Sequence, residues 1–278
     1  MTTCNLGIRW TIGNVNRRGF DALRLSITGA WQIWGDLARY AVCVNGLPLD
    51  QAREWTGEVP CNVEWQAASR DQIPSFIRSR LHPNMAEGVA WKFAPVRLFP
   101  EMYELMLDND CILWKEPPAV HRWLADSSPS SVLIAEDVRV CLGCFENLCS
   151  GHPRNSGIRG LPPALDYAAV LEDIIACHPH SLASELDEQG LQVLALETLG
   201  EPKVVQLDNV SICSPFWPHR PNLGTCGAHF VGLNSHHLPW NYYDRPADEW
   251  LAEHWECKRA EVAERIQQAR GDALATAQ

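Results

Sequence analysis

Two carboxylates flank a single amide in Asp108-Asn109-Asp110, between the apolar runs Tyr103-Glu-Leu-Met-Leu107 and Cys111-Ile-Leu-Trp114. Like charges this close resist joint ionisation. A hard divalent cation relieves that cost, because it takes oxygen ligands. The chemistry on offer is metal binding at a strand end, with Asp108 and Asp110 as ligands. The plainer reading of the same tripeptide is a pair of solvated turn aspartates. A second cluster is Cys141-x-x-Cys144-x4-Cys149-x-x-His152. Two paired-ligand spacings in twelve residues resemble a structural zinc site, but the central gap of four is short for one. Small, reduced cysteines are the expectation there, with no tetrahedral metal site.

The elements that must position these residues follow from pattern. Ile8–Ile12 alternates as a strand should and Gly13-Asn14 breaks it. Phe20, Leu23, Ile27, Ala30, Trp31 and Trp34 then recur at helical spacing, and Gly35 stops the helix. Arg39–Asn45 reads as the next strand. A strand–helix–strand opening favours a parallel sheet with crossover helices. Val63–Ala67 is a candidate third strand, and 71–97 reads as loop and helix. Tyr103–Leu107 is the strand that carries the aspartates. A short helix from Pro117-Pro118 to Leu124 and a strand over Ser131–Ala135 follow. A helix is expected to start near Pro162-Pro163. Leu191–Leu196 lies in an element of undetermined type, and 224–234 reads as a glycine-rich loop around a short strand.

Asp244–Gly271 reads as a last helix, with Asp244 as its cap, Pro246 in its first turn and Gly271 at its end. Trp250, Leu251, Trp255, Val262 and Ile266 share one face. That face is expected to pack on the protein's own body or on a second copy in a homodimer. The division is one domain over 1–243 and a helical tail over 244–278.

Three further segments keep the order and rough spacing of a known family: Asn155-Ser156-Gly157-Ile158, Asp187-Glu188-Gln189-Gly190-Leu191-Gln192, and His229-Phe230-Val231-Gly232 with Pro239-Trp240 beyond it. With the tripeptide they resemble the glycogenin-like (family 8) retaining glycosyltransferases. The resemblance implies an α/β fold: a single GT-A-like, Rossmann-like domain with a mainly parallel mixed central sheet flanked by helices, plus a C-terminal helix. It implies His229 as the third metal ligand beside Asp108 and Asp110, and a nitrogen ligand tilts the choice from Mg2+ toward Mn2+. It implies that Asn155, Asp187 and Gln189 orient the donor sugar and stabilise charge at its anomeric carbon. Gly13, Asn14, Lys92, Asn109, Gly157 and Gly232 are expected around the nucleotide sugar. The family's lysine before Pro-Trp is absent. His237, with His236 beside it, is the candidate phosphate clamp in its place.

The implied activity is metal-dependent transfer of a sugar from a nucleotide-sugar donor to an unknown acceptor, with retention. A hexosyl group is the expected cargo. A sugar nucleotidyltransferase is the first alternative, since Gly13-Asn-Val-Asn-Arg-Arg18 sits where such enzymes carry a basic glycine loop. A non-catalytic relative with a Cys/His zinc site is the second.

The 278-residue chain carries a formal charge of -11 with 46% apolar and 21% charged residues. That balance fits a globular protein and argues against a nucleic-acid partner and against simple docking on anionic lipid. No apolar run is long enough to span a bilayer, and Met1–Trp10 does not read as a signal peptide. A cytoplasmic location is the expectation, with the eleven cysteines reduced.

Overall fold

The chain opens on a strand, β1 (Leu6–Ile12), buried on both faces, as the centre of a parallel sheet requires. Asn16 then starts α1 (Arg17–Trp34), its side chain accepting the Gly19 N–H at 3.1 Å. Gly35 closes α1 at φ 49°. The chain returns as β2 (Ala38–Val44), parallel to β1, and through α2 (Leu49–Thr56) to β3 (Val63–Ala67) beside β2. The computed structural model describes residues 5–82 and 90–276, with side chains of the last helix described through 269. The part of the 71–97 reading that falls on 83–89 lies outside the described residues.

After a one-turn helix, α3 (Ser75–Arg78), β4 (Tyr103–Leu107) enters on the other side of β1, again parallel. The next apolar run leaves this sheet as β5 (Cys111–Leu113). The short helix α4 (Pro118–Leu124), β6 (Leu133–Glu136) and β7 (Arg154–Leu161) follow. Strand β7 runs antiparallel between β4 and β6. Helices α5 (Tyr167–Cys177) and α6 (Glu185–Thr198) precede β8 (Lys203–Val205), which closes a seven-stranded sheet in the order β3-β2-β1-β4-β7-β6-β8. This is a mainly parallel mixed α/β sheet with helices packed against it, as the sequence suggests.

A smaller sheet joins β5 to β10 (Gly227–His229) and β9 (Val210–Ile212). Its inner side meets the last helix, α7 (Ala247–Thr276): Trp255, Val262 and Ile266 pack with Leu25 of α1, Ile112, Ala228 and Phe230. The apolar face of α7 is therefore covered by the chain's own body. The helix begins three residues later than expected, because Arg245-Pro246 (β12) pairs with Asn241-Tyr242 (β11) in a small ribbon. Gly271 does not end it. Helix α5 likewise starts at Tyr167 rather than near Pro162, since Leu161 is still paired to Glu104 and Asp166 supplies the cap. The undetermined 191–196 element is the interior of α6. Among the described residues no helix is long and apolar enough to cross a membrane.

Candidate active site

The carboxyl ends of β1 and β4 lie side by side, the usual position for a ligand crevice in an open α/β sheet. Register then assembles three potential ligands there. The Asp108 N–H donates to Gly157 O at 2.9 Å, and Cys111 N–H closes a turn on Asp108 O at 2.9 Å. Because β5 pairs antiparallel with β10, Cys111 stands opposite His229, and Phe230 N–H reaches Asp110 O at 2.9 Å. His229 Nε2 thereby lies 3.3 Å from Asp110 Oδ1 and 3.6 Å from Asp108 Oδ2. Among the described residues, Asp108, Asp110 and His229 are the one group with metal-ligand atoms gathered, all within 4.8 Å of one another.

Two observations test whether this trio fits a cation. Asn234 Nδ2 donates to Asp110 Oδ2 at 3.0 Å, whereas Asp110 Oδ1 is buried and accepts no hydrogen bond. A buried carboxylate oxygen without a donor is costly, and a cation meets that need. The donor set, two carboxylates and one imidazole, also suits Mn2+ or Mg2+ with open positions for water or phosphate. Burial opposes a charged His229, but Asp110 and Asp108 outweigh it and hold its pKa above the ordinary value. The trio fits the metal that the motif resemblance implies.

Around the trio opens a cleft of about 840 Å³. Lys92 reaches into it and bridges Asp108 Oδ1 at 2.9 Å and Glu188 Oε2 at 3.5 Å, with Ser156 Oγ at 3.4 Å. Burial works against its ammonium, yet Asp108 and Glu188 raise its pKa above the ordinary lysine value. Its backbone is fixed from below: Arg9, fully buried, donates to Lys92 O at 2.7 Å and pairs with Glu104 at 3.7 Å. Glu188 is held from behind by Gln192, which in turn accepts from buried Arg159. Burial, and then the repulsion of Asp108, outweigh Lys92 and push the Glu188 pKa up to about 7.

Ten of the thirteen residues singled out from sequence line this cleft: Gly13, Asn14, Lys92, Asp108, Asn109, Asp110, Asn155, Gln189, His229 and Gly232. Several of them are already engaged. Asn155 Nδ2 donates to Asp137 at 3.0 Å while its Oδ1 accepts Gly157 N–H at 2.8 Å. Gln189 ties Ser156 N–H to Cys141 O, at 3.2 and 3.0 Å. Asn109 is clasped by Asn234 and Gly19 O. The register shift between Ile134 and Ala135 of β6 frees residues 156–158 of β7 to turn toward this network.

Three of the singled-out residues do not line the cleft. Asp187 is the N3 residue of a capping box: its carboxylate accepts Ala183 N–H at 2.8 Å, Ser184 N–H at 2.9 Å and Cys144 N–H at 2.9 Å. Gly157 lies under the His229 ring, where a Cβ would meet His229 Cε1 at 2.3 Å, so its small size serves the histidine. His237 is exposed and its Nδ1 faces Asp248 at 2.7 Å, at the start of α7, while His236 Nε2 lies 3.0 Å from Asn14 O. Cleft residues that sequence reasoning missed include Glu188, Asn45, Asp137, Arg139, His219 and Asn234. Glu188 had a signal: it is the middle residue of the Asp-Glu-Gln segment already singled out. The Cys141–His152 segment gathers no ligand group. Cys149 Sγ donates to Gly190 O at 3.9 Å, and the described cysteines are free.

With that geometry in view, the fold can be matched. No protein-family model matches the sequence, and no curated protein sequence does. Solved structures do match. The galactosyltransferase LgtC, in complex with donor and acceptor sugar analogs, superposes with a TM-score of 0.54 at 13% identity, over 93% of this chain and 95% of that one. Mouse xyloside xylosyltransferase 1 gives 0.56 at 10% identity, over 83% and 98%. The glycosyltransferase GlyE of Streptococcus pneumoniae TIGR4 gives 0.50 at 12% identity, over 97% and 64%. The chain has the GT-A glycosyltransferase fold of these structures.

Proposed function

We propose that this protein is a metal-dependent glycosyltransferase that moves a sugar, of hexosyl type, from a nucleotide-sugar donor to an acceptor with retention of configuration. The observation that carries the reading is the Asp108–Asp110–His229 trio with its undonated Asp110 oxygen, at the strand-end floor of a cleft that also holds Lys92 and Glu188. Asp108, Asp110 and His229 would hold Mn2+ or Mg2+. When bound, such an ion supplies Lewis-acid stabilisation of the leaving diphosphate, so no protein acid need protonate it.

The chain's own residues do the rest. Gly13 and Asn14, at the end of β1, line the part of the cleft suited to the base. Lys92 keeps its proton and offers a fixed positive charge beside Asp108. Lys92 stands 3.4 Å from Ser156 in the polar wall formed by Asn155, Ser156 and Gln189, with Glu188 beside it. Bond breaking at a glycosyl carbon passes through an oxocarbenium-like state, and an ionised Glu188 stabilises that charge without moving. Asn155 and Gln189, already cross-braced, hold this wall rigid and present their remaining hydrogen-bonding capacity to sugar hydroxyls. Retention is taken from the ordered motif resemblance. The nucleotidyltransferase reading weakens because Arg17 stacks on Trp55 at 5.4 Å, and neither Arg17 nor Arg18 lines the cleft.

The test is a thermal-shift series with UDP, GDP, ADP and dTDP, each with Mn2+, with EDTA and alone. At one hundred times its dissociation constant a ligand adds ~2.7 kcal/mol. A metal-dependent gain with at least one diphosphate is expected, followed by slow metal-dependent release of sugar from the matching sugar nucleotide. Cleavage at the α-phosphorus instead would reject the reading.

A further inference from the structure

Asn234 is not among the motif residues, and the resemblance gives it no task. It is half-buried in the wall of the cleft, and its side chain meets one carboxylate of the trio directly. Asn234 Nδ2 donates to Asp110 Oδ2 at 3.0 Å and to Asn109 Oδ1 at 3.0 Å. Asn109 Nδ2 donates back to Asn234 Oδ1 at 2.7 Å and also to Gly19 O at 3.1 Å. The two amides form a reciprocal pair. A primary amide has two N–H donors and one carbonyl, and each of these two uses both donors and the carbonyl.

The pairing decides which end of Asn234 faces the carboxylate. Turning that amide over would set its oxygen against Asp110 Oδ2 and Asn109 Oδ1, and its nitrogen against Asn109 Nδ2. Acceptor would meet acceptor and donor would meet donor, so Asn109 holds the N–H toward Asp110. The backbone is held as well. Asn16 Nδ2 donates to Leu233 O at 2.7 Å and to Ser235 O at 2.6 Å, the carbonyls on either side of Asn234. Gly19 leaves space for the pair, since a Cβ there would lie 2.5 Å from Asn234 Oδ1.

A carboxylate can rotate about its Cβ–Cγ bond, and repulsion from Asp108 favours turning Asp110 away. The Asn234 N–H occupies Oδ2 and leaves Oδ1 toward His229, 3.3 Å away. A tie that served the fold alone could end on any polar group. This one ends on a carboxylate that the trio needs. Partners that orient a ligand set much of a metal site's affinity.

We infer that Asn234 is the positioning residue of this metal site. Asn109 aims its amide and Asn16 holds its backbone. The middle residue of Asp108-Asn109-Asp110 thus serves the metal through Asn234 rather than by touching the nucleotide sugar. The inference rests on the metal reading of Asp108, Asp110 and His229.

The experiment is a calorimetric titration of the full chain with Mn2+, on the parent, Asn234→Ala, Asn109→Ala and the double variant. Each single substitution should weaken Mn2+ binding about 10–100-fold. The double variant should be no weaker than the worse single one, because Asn109 acts only through Asn234. The electron paramagnetic resonance signal of bound Mn2+ should broaden in both single variants. Should Asn234→Ala not fold, as read by circular dichroism, Asn109→Ala gives the same reading, since it keeps the Asn234 side chain and removes only its aim. Parent-like Mn2+ affinity in the folded variants, or losses that add in the double one, overturns the role. A parent chain that binds no Mn2+ overturns the metal reading instead.

Discussion

Asp110 and Asp187 are both buried aspartates in segments that look like site motifs, yet the fold treats them in opposite ways. Asp187 accepts three backbone N–H bonds and a fourth bond from the Ser184 hydroxyl. Its lone pairs are filled by the two residues just before α6 and by Cys144. Asp110 has one oxygen held by Asn234 and the other left without a donor, facing His229. The first carboxylate holds a helix end together. The second is kept free at the cost of a local electrostatic penalty, and such a penalty persists where a ligand relieves it. What separates a structural acid from one available to a metal here is the count of donors already aimed at it, which residue spacing does not reveal.

The largest effect should come from breaking the available carboxylate. Asp110→Asn places an amide where two anionic oxygens stood. The ~2.7 kcal/mol stabilisation by Mn2+ and nucleoside diphosphate should vanish, and sugar release from the donor should drop below detection. The metal-free variant should melt close to the parent, because relief of the repulsion with Asp108 offsets the lost attraction to His229. A retained metal-dependent shift would break the comparison.

Asp187→Ala should show the opposite signature, a loss of about 2–3 kcal/mol in folding stability at neutral pH with the diphosphate-induced shift preserved. Burial raises the Asp187 pKa, but the Cys144 and Ala183 N–H groups win and hold it below the usual carboxylate value. A depressed folded-state pKa gives stability that is present above the unfolded-state pKa and is lost as pH falls through the folded one. The gap between parent and variant should therefore narrow in denaturation curves taken near pH 3. A gap that is constant with pH would mean that packing, not the carboxylate, carries the effect.

Glu188 lies between these extremes and has the reverse sign. It is buried, and its pKa is raised to about 7, first by burial and then by Asp108. An acid raised on folding contributes stability below its unfolded-state pKa, and that contribution is lost as pH rises toward 7. Glu188→Gln should therefore be more stable than the metal-free parent at pH 8, by about 2 kcal/mol, and equal to it near pH 4.5. Turnover should nonetheless fall. If Glu188→Gln keeps full turnover, the carboxylate does not face the sugar.

Much of this architecture was legible in the sequence. Period-two and period-3.6 patterns located β1, α1, β2, β3 and β4, and of the apolar face read for α7 Leu251, Trp255, Val262 and Ile266 are buried while Trp250 is partly buried. Asp108, Asp110 and His229 were legible because an ordered set of motifs names them. The second sheet was not, because Cys111–Leu113 reads the same whether it extends β4 or leaves for β10. The exchange of Asp187 for Glu188 in the cleft was not legible either. It depends on where the helix starts: with Ser184 as cap, Asp187 turns back to the cap and its neighbour turns toward Lys92. The ribbon at Asn241–Pro246 displaced the α7 cap for the same kind of reason, a pairing between short segments with no periodicity.

The finest test uses two glycines, because each aspartate locus has one pressed against it. At Gly157 an added Cβ would lie 2.3 Å from His229 Cε1 and 2.7 Å from Nδ1. At Gly143 it would lie 2.2 Å from Asp187 Oδ1 and 2.7 Å from the Asp187 nitrogen, and Gly143 also has φ +53°. The obstacle at Gly157 is a side-chain ring that can be displaced. The backbone there requires no special conformation. Gly157→Ala should thus leave stability nearly unchanged while tilting the imidazole, costing about tenfold in Mn2+ affinity, the lower end of what disturbed ligand orientation costs. The obstacle at Gly143 includes the backbone of α6, and the left-handed φ adds strain of ~1–2 kcal/mol for any residue with a Cβ. Gly143→Ala should lower the melting point and leave Mn2+ affinity as it was. Paired titrations of Mn2+ by calorimetry and paired melts read both numbers. If Gly157→Ala costs stability without metal affinity, or Gly143→Ala the reverse, then the two carboxylates are not divided between metal binding and helix capping in the way that their hydrogen bonds indicate.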